Sequence, residues 1–241
     1  MDNVLITGAN SDIGKSLIER LEAKNIRVIA TARSTSSQDA DSRARILDGI
    51  DLTDGQCLEL LRQAVIGEFA SPFSWVHCVG DFWLHKPLEK TSIEEAKSMV
   101  LSHYLTLFAT AQIVLPLMKK VGGGQLLAFS CNSVRYNYPD MAAFTSAKAA
   151  VECFVKCISN EYIEHNIAAN CFALPTIKTE KVVRTKHSDY HDHYISSGEL
   201  ADVVIEHLSQ AQRFCSGNAL SLVKHSPYFY TEGYYRRNRS L

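Results

Sequence analysis

The sequence has no surplus of either charge. Its 25 lysines and arginines meet 26 aspartates and glutamates, for a formal net charge of -1. Bulk electrostatics therefore point to neither a nucleic-acid partner nor an acidic membrane surface. Only Arg236-Arg237-Asn238-Arg239 is locally basic, and a solvated tail accounts for it. Long hydrophobic runs are lacking too. None approaches the length that spans a bilayer, and the chain enters an apolar strand, Val4-Leu5-Ile6, without a charged-then-apolar leader. The seven cysteines include no Cys-x-x-Cys pair, so a disulfide framework is not expected and reduced thiols in a cytoplasmic protein are. No repeat, low-complexity segment or composition break marks a second domain, and one domain over residues 1–241 is expected.

What is present is an ordinary globular balance, 46% apolar and 21% charged, arranged as alternating short apolar runs and amphipathic stretches. Strands are expected at Val4–Ile6, Arg27–Ala32, Ile46–Leu52, Ser74–Cys78, Gln125–Ser130, Ala168–Ala173 and Ala219–Val223. Helices are expected at Lys15–Lys24, Gln56–Phe69, Ile93–Lys119, from Phe144 to His165, and Leu200–Gln212. Strand and helix in alternation with short connections predict an α/β fold: a single-domain Rossmann-type, doubly wound parallel sheet of about seven strands with helices on both faces.

The first strand runs into Thr7-Gly8-Ala9-Asn10-Ser11-Asp12-Ile13-Gly14 and then a helix. A glycine turn between strand and helix aims backbone N–H groups and a helix N-terminus at a diphosphate. Asp12 can cap that helix; it also puts a negative charge beside the phosphate position. At the end of the second strand there is no acid at Ala30, Thr31 or Ala32, and Arg33 stands just beyond with Ser34 to Ser37. An arginine there suits a 2′-phosphate, favouring NADP(H) over NAD(H); an exposed loop arginine is the plainer alternative. Further on, Phe144, Val151, Phe154, Val155, Ile158 and Tyr162 form one helical stripe, and Lys148 projects from the same face as Phe144 among Ala147, Ala149 and Ala150.

These motifs resemble the short-chain dehydrogenase/reductase family, with Phe144 where the family's Tyr-x-x-x-Lys segment has tyrosine and Asp12 where its fingerprint has a middle glycine. The resemblance spans Val4 to Val223. It implies cofactor contacts from Gly8, Asn10, Ser11, Asp12, Ile13, Gly14, Arg33, Asp51, Leu52, Gly80, Lys148, Ile177 and Thr179. It implies catalytic positions at Ser133 (with Ser130 closer to the strand), Lys148, Phe144 and His103, the last where the family keeps an asparagine that holds a relay water. His77-Cys78-Val79-Gly80 keeps only the glycine of the family's Asn-Asn-Ala-Gly, and His77 is read as a hydrogen-bonded core residue. His103 serves equally well as a relay or as a satisfied buried histidine. The resemblance also implies a substrate lid over about residues 176–198 and a homodimer or homotetramer; Leu105, Phe108, Ile113, Cys153 and Cys157 are apolar enough to serve either that contact or the sheet. A hetero-oligomer is an alternative. The aromatic tail 225–241 suits a subunit contact or a pocket wall. The lid histidines His187, His191 and His193 lack the spacing of a metal site, and no metal is expected.

Three functions fit. One is an NADP(H)-dependent oxidoreductase acting on a small carbonyl or hydroxyl compound, polar or hydroxylated, with its acid relocated to Tyr138, Tyr136 or His103. Another is a reductase or isomerase whose substrate needs no tyrosine. The third is a non-catalytic protein that binds a dinucleotide or a partner.

Overall fold

The computed structural model describes residues 1–35, 42–83, 85–185, 188–210 and 215–224, without the side chains of residues 189 and 190. Ser36, Ser37, His187 and the tail 225–241 lie outside the described residues.

Seven strands form one parallel sheet: β1 (Asn3–Thr7), β2 (Arg27–Thr31), β3 (Arg45–Leu47), β4 (Phe73–His77), β5 (Gly124–Cys131), β6 (Ile167–Leu174) and β9 (Ala219–Ser221). Their spatial order is β3-β2-β1-β4-β5-β6-β9, which reverses direction between β1 and β4. A crevice outside the carboxyl ends of strands at such a reversal is where α/β sheets bind ligands. Thr7 is paired with Thr31 on one side and His77 on the other, so those three chain ends form the rim.

Side-chain alternation along the strands builds two cores. Leu5, Trp75, Leu126 and Ala169 face one layer, made by α2 (Gly55–Glu68), α4 (Thr106–Lys120) and α6 (Ala142–Glu161). Val4, Ile6, Val76, Leu127 and Phe172 face the other, made by α1 (Asp12–Ala23) and α8 (Ser197–Gln210). Leu17, Ile18 and Leu21 of α1 pack there, each burial contributing about 1.5–3 kcal/mol. The doubly wound sheet expected from the alternation is what forms.

Three elements differ from the sequence expectation. The third strand is only Arg45–Leu47, because Gly49 takes a positive φ of 73° and turns the chain; Asp51 and Leu52 follow that turn. Asp54, not Asp51, caps α2 by accepting from the amides of Gln56 and Cys57, while Asp51 accepts from Thr53. The long helix is three pieces: α3 (Ile93–Val100), opened by a Ser92–Glu95 capping box, then a wide π-turn at Leu101–Leu105, then α4. Within Ile93–Lys120 an 18-residue window reaches a mean hydropathy of 1.5, so by length and composition this helix could cross a membrane. The expectation that no stretch is long enough is corrected to that extent: Ser, Thr and His interrupt the run without lowering its average much. Leu107, Ala111, Val114, Leu115 and Met118 of this helix are buried against the sheet. Finally, the described part of the segment expected as a lid, 176–198, contains regular elements. β7 (Ile177–Lys178) pairs with β8 (Ile195–Ser196) at its base, and α7 (Glu180–Thr185) rises between them.

Candidate active site

The crevice begins at the glycine turn. Gly8 has φ 96°, in the region that favours glycine, and a Cβ at Gly14 would lie 2.3 Å from the Gly8 carbonyl oxygen. Glycine at both positions is therefore a packing requirement. The amides of Gly8 and Ala9 donate to the Thr31 carbonyl, and that of Gly14 to Ser11 Oγ. The amides of Asn10, Asp12 and Ile13 donate to no other described residue, as expected of a turn and a first helical turn. They are the donors an anion would take. Ser11 is the N-cap of α1, which corrects the expectation for Asp12. The Asp12 carboxylate instead accepts from the Glu180 amide at the start of α7, at 2.6 Å.

At the end of β4, His77 is 3% exposed and sits in a directional chain. The Trp75 indole, which can only donate, gives its hydrogen to Thr7 Oγ1 at 3.1 Å. Thr7 has its own hydrogen to give to His77 Nδ1 at 2.7 Å, a direction set by Thr106, whose hydrogen is committed elsewhere so that it can only accept from the ring. That places the imidazole hydrogen on Nε2, facing Thr106 Oγ1 at a long 3.4 Å, and Thr106 donates to the Ser102 carbonyl at 2.9 Å. His77 thus ties the sheet to the π-turn, and burial, with Lys148 nearby, holds its pKa down to about 3.

The π-turn carries His103, also 3% exposed. A Cβ on Gly80 would come within 2.2 Å of its Nδ1, so Gly80 is the residue that admits this ring. Neither ring nitrogen has a hydrogen-bond partner of normal geometry among the described residues. Burial first, then Lys148, pushes its pKa to about 2, with the Asp81 backbone drawing weakly upward. Both imidazoles are neutral at physiological pH. In the unfolded chain each would titrate near 6.5, so the unfolded state binds more protons between that value and the folded pKa. Stability is whole above pH 6.5 and falls with acidification, by roughly 1.4 kcal/mol per pH unit for each ring. Urea unfolding at pH 7.5 and 5.5 is expected to show that loss, and a flat profile would mean that at least one ring is charged or solvated in the folded protein.

Helix α6 brings Phe144, Thr145, Lys148 and Glu152 to the end of β5. The His103 ring meets Phe144 edge-on, with centroids 5.2 Å apart at 89°, and Lys148 Nζ lies 5.7 Å from the Phe144 centroid. Lys148 is buried. Its ammonium donates to the Phe129 carbonyl at 2.8 Å, and burial lowers its pKa. Ser133 is fully buried and accepts from Thr145 Oγ1 at 3.0 Å. Ser130 instead donates to Glu152 at 2.7 Å, and Arg135 joins Glu152 at 2.9 Å while reaching the Ala219 carbonyl of β9. The rings of Tyr136 and Tyr138 stack on one another at 6.0 Å.

Other sequence-singled residues lie along the same edge. Asn10 donates to Ser34. Arg33 is exposed and close enough to Asp51 to help lower its pKa, after the two Thr53 hydrogen bonds. Leu52 is 5% exposed and packs in the core. Ile177 is buried in β7, and Thr179 caps α7 through its hydroxyl and carbonyl. Of the helix-face residues expected at a subunit contact, Leu105, Phe108, Cys153 and Cys157 are exposed, whereas Ile113 packs against the core. All seven cysteines are free.

Sequence reasoning missed Thr145, Glu152 and Phe82, whose ring sits 5.0 Å under Lys181 of α7. Glu152 had a signal, an acid four residues after Lys148 on a face otherwise apolar. Thr145 and Phe82 had none.

A Rossmann sheet with this turn and this lysine-bearing helix defines a dinucleotide-fold oxidoreductase class. The short chain dehydrogenase family model matches residues 2–189, and the chain belongs to that family. It is 26% identical over 211 residues to a fatty acyl-CoA reductase of Acinetobacter baylyi, covering 83% of this chain and 70% of that one. It is 25% identical over 219 residues to the 3-oxoacyl-[acyl-carrier-protein] reductase FabG of Escherichia coli, covering 89% and 87%. Among solved structures, a tyrosine-to-phenylalanine variant of ElxO with NADPH bound superposes with a TM-score of 0.82 at 21% identity, over 91% of this chain and 96% of that one. L-sorbose reductase from Gluconobacter frateurii, with NADPH and L-sorbose, gives 0.80 at 19%, over 92% and 95%.

Proposed function

We propose that this protein is an NADP(H)-dependent oxidoreductase of the short-chain type, acting on a polar or hydroxylated carbonyl compound, with Phe144 in the place of the family's tyrosine. The observation that carries the reading is the set of donors at the sheet's reversal point: the amides of Asn10, Asp12 and Ile13, with exposed Arg33 at the end of β2 for a 2′-phosphate. Gly80, Ile177 and Thr179 are assigned to the cofactor by the family resemblance; in this chain Gly80 makes room for the His103 ring and Thr179 caps α7.

Bound there, the dinucleotide supplies a hydride. The chain's own residues do the rest. Lys148, held by the Phe129 carbonyl, would offer its remaining N–H bonds to the ribose of such a cofactor. Ser133 accepts from Thr145, which leaves its own hydrogen uncommitted; because the residue is fully buried, it would orient a substrate oxygen only after the crevice opens to it. Phe144 has no O–H, so we assign the proton to a relocated donor, with Tyr138 and Tyr136 as candidates; His103, the third residue the sequence offered, is kept neutral by burial and can relay a proton but not supply one. A second reading, a non-catalytic protein that holds a dinucleotide or a partner, draws on the same ring, wedged between His103 and Lys148 without a proton to give. The apolar residues exposed on α4 and α6 support a homodimer.

The test is nicotinamide fluorescence on titrating NADPH and NADH. The expected result is saturable enhancement with NADPH at lower concentration than with NADH. No response to either up to about 1 mM, the upper end of ordinary affinities, would remove the dinucleotide reading in both forms.

A further inference from the structure

We propose that Asp12 latches the cofactor cleft from within: its carboxylate stands between the glycine turn and lid helix α7, where it competes with a dinucleotide's diphosphate. The proposal rests on the dinucleotide reading above and adds a residue that sets cofactor affinity.

Asp12 opens α1 but leaves the capping of that helix to Ser11. Its carboxylate reaches across 168 residues to the Glu180 amide at 2.6 Å. That amide is the first of α7, in which the amides of Val182 and Val183 donate to the hydroxyl and the carbonyl of Thr179. On the opposite lip, Lys181 of α7 lies over the Phe82 ring in the segment after β4. Helix α7 is therefore tied to the segments that follow both strands flanking the sheet's reversal, to the start of α1 after β1 through Asp12 and to the stretch after β4 through Phe82. A ligand in the crevice passes under it.

The turn amides left for an anion are those of Asn10, Asp12 and Ile13. A carboxylate already projects from the middle of this trio, at the positive end of a twelve-residue helix. A diphosphate brought to the same amides meets a like charge and must displace the carboxylate from its contact with α7. The wild-type chain thus holds its lid without cofactor and binds cofactor more weakly than its turn would otherwise allow.

Two substitutions separate charge from tether. Asp12→Asn keeps an oxygen for the Glu180 amide and removes the charge; Asp12→Ala removes both. Asp12 is half-buried at the surface, so neither touches the core. NADPH dissociation constants come from fluorescence titration, and amide exchange over residues 176–185 is followed without cofactor. Both variants are expected to bind NADPH about tenfold more tightly, a difference of about 1.4 kcal/mol. Exchange in the lid segment should quicken at least tenfold in the alanine variant and stay as in wild type in the asparagine variant. A residue with a merely structural role would leave the asparagine variant's affinity at the wild-type value. Equal or weaker NADPH binding by both variants would overturn the latch alone, while no binding by any of the three proteins would overturn the dinucleotide reading and the latch with it.

Discussion

Phe144→Tyr is expected to raise NADPH-dependent reduction of simple aldehydes and ketones by about 10²- to 10⁴-fold, the usual worth of a positioned general acid. The reasoning is local. The Phe144 ring already lies within 5.7 Å of a buried ammonium, and a nearby positive charge lowers a phenol's pKa toward the working range. Steady-state rates on a panel of small carbonyl compounds, with NADPH binding measured in parallel, check the result. If the variant binds NADPH as the wild type does and gains no activity, Ser133 and Lys148 are not placed for carbonyl chemistry and the non-catalytic reading stands. If the wild type is already as fast as the variant on the panel, its proton comes from elsewhere, and Tyr138, Tyr136 and His103 become the positions to substitute.

The second large effect concerns stability. Thr7→Val, a near-isosteric change at a fully buried position, is expected to cost about 2 to 6 kcal/mol. Valine can neither accept from the Trp75 indole nor donate to His77 Nδ1, so two buried polar atoms lose their partners, at about 1–3 kcal/mol each. A tautomer change does not rescue the site, since valine offers no acceptor to an Nδ1 hydrogen either. At about 2–4 °C per kcal/mol for a chain of this size, thermal unfolding should shift by several degrees or more. Thr7→Ser keeps the hydroxyl and is expected to stay near wild type. A valine variant within 1 kcal/mol of wild type in urea unfolding would mean that the Trp75–Thr7–His77 chain contributes little.

How much of this was legible in the sequence depends on how far apart the partners lie. The glycine turn at Gly8 and Gly14 and the α6 stripe are written in neighbouring residues, and both could be read. So could the sheet, because each strand's apolar run is self-contained. The Asp12–Glu180 contact joins residues 168 positions apart, and no local pattern announces it. His77 could be read as a hydrogen-bonded core residue, and it is one; its partners could not be named, because the chain draws on three separate elements. The π-turn did leave a trace. Met99, His103, Leu107 and Ala111 are all buried at unbroken intervals of four, whereas an α-helix turning about 100° per residue drifts by roughly 40° at each such step. A wider turn absorbs that drift, and only a strict reading of the period would have asked for one. The third strand was overextended because Ile50 and Leu52 are apolar for the core's sake and not for the sheet's.

The strut formed by Arg135, Glu152 and the last strand has a consequence for how the chain is made. β9 has three residues, and it is held at the sheet's edge partly by Arg135 reaching the Ala219 carbonyl and Asn132 reaching that of Leu222. Arg135 leaves the ribosome 84 residues ahead of its carbonyl partner, a delay on the order of ten seconds at ordinary elongation rates. Glu152 follows Arg135 by 17 residues, so for the rest of that interval the guanidinium's carboxylate has been made but its far anchor has not. The wall of the sheet beyond β6 closes last, after every residue of the cleft has already emerged.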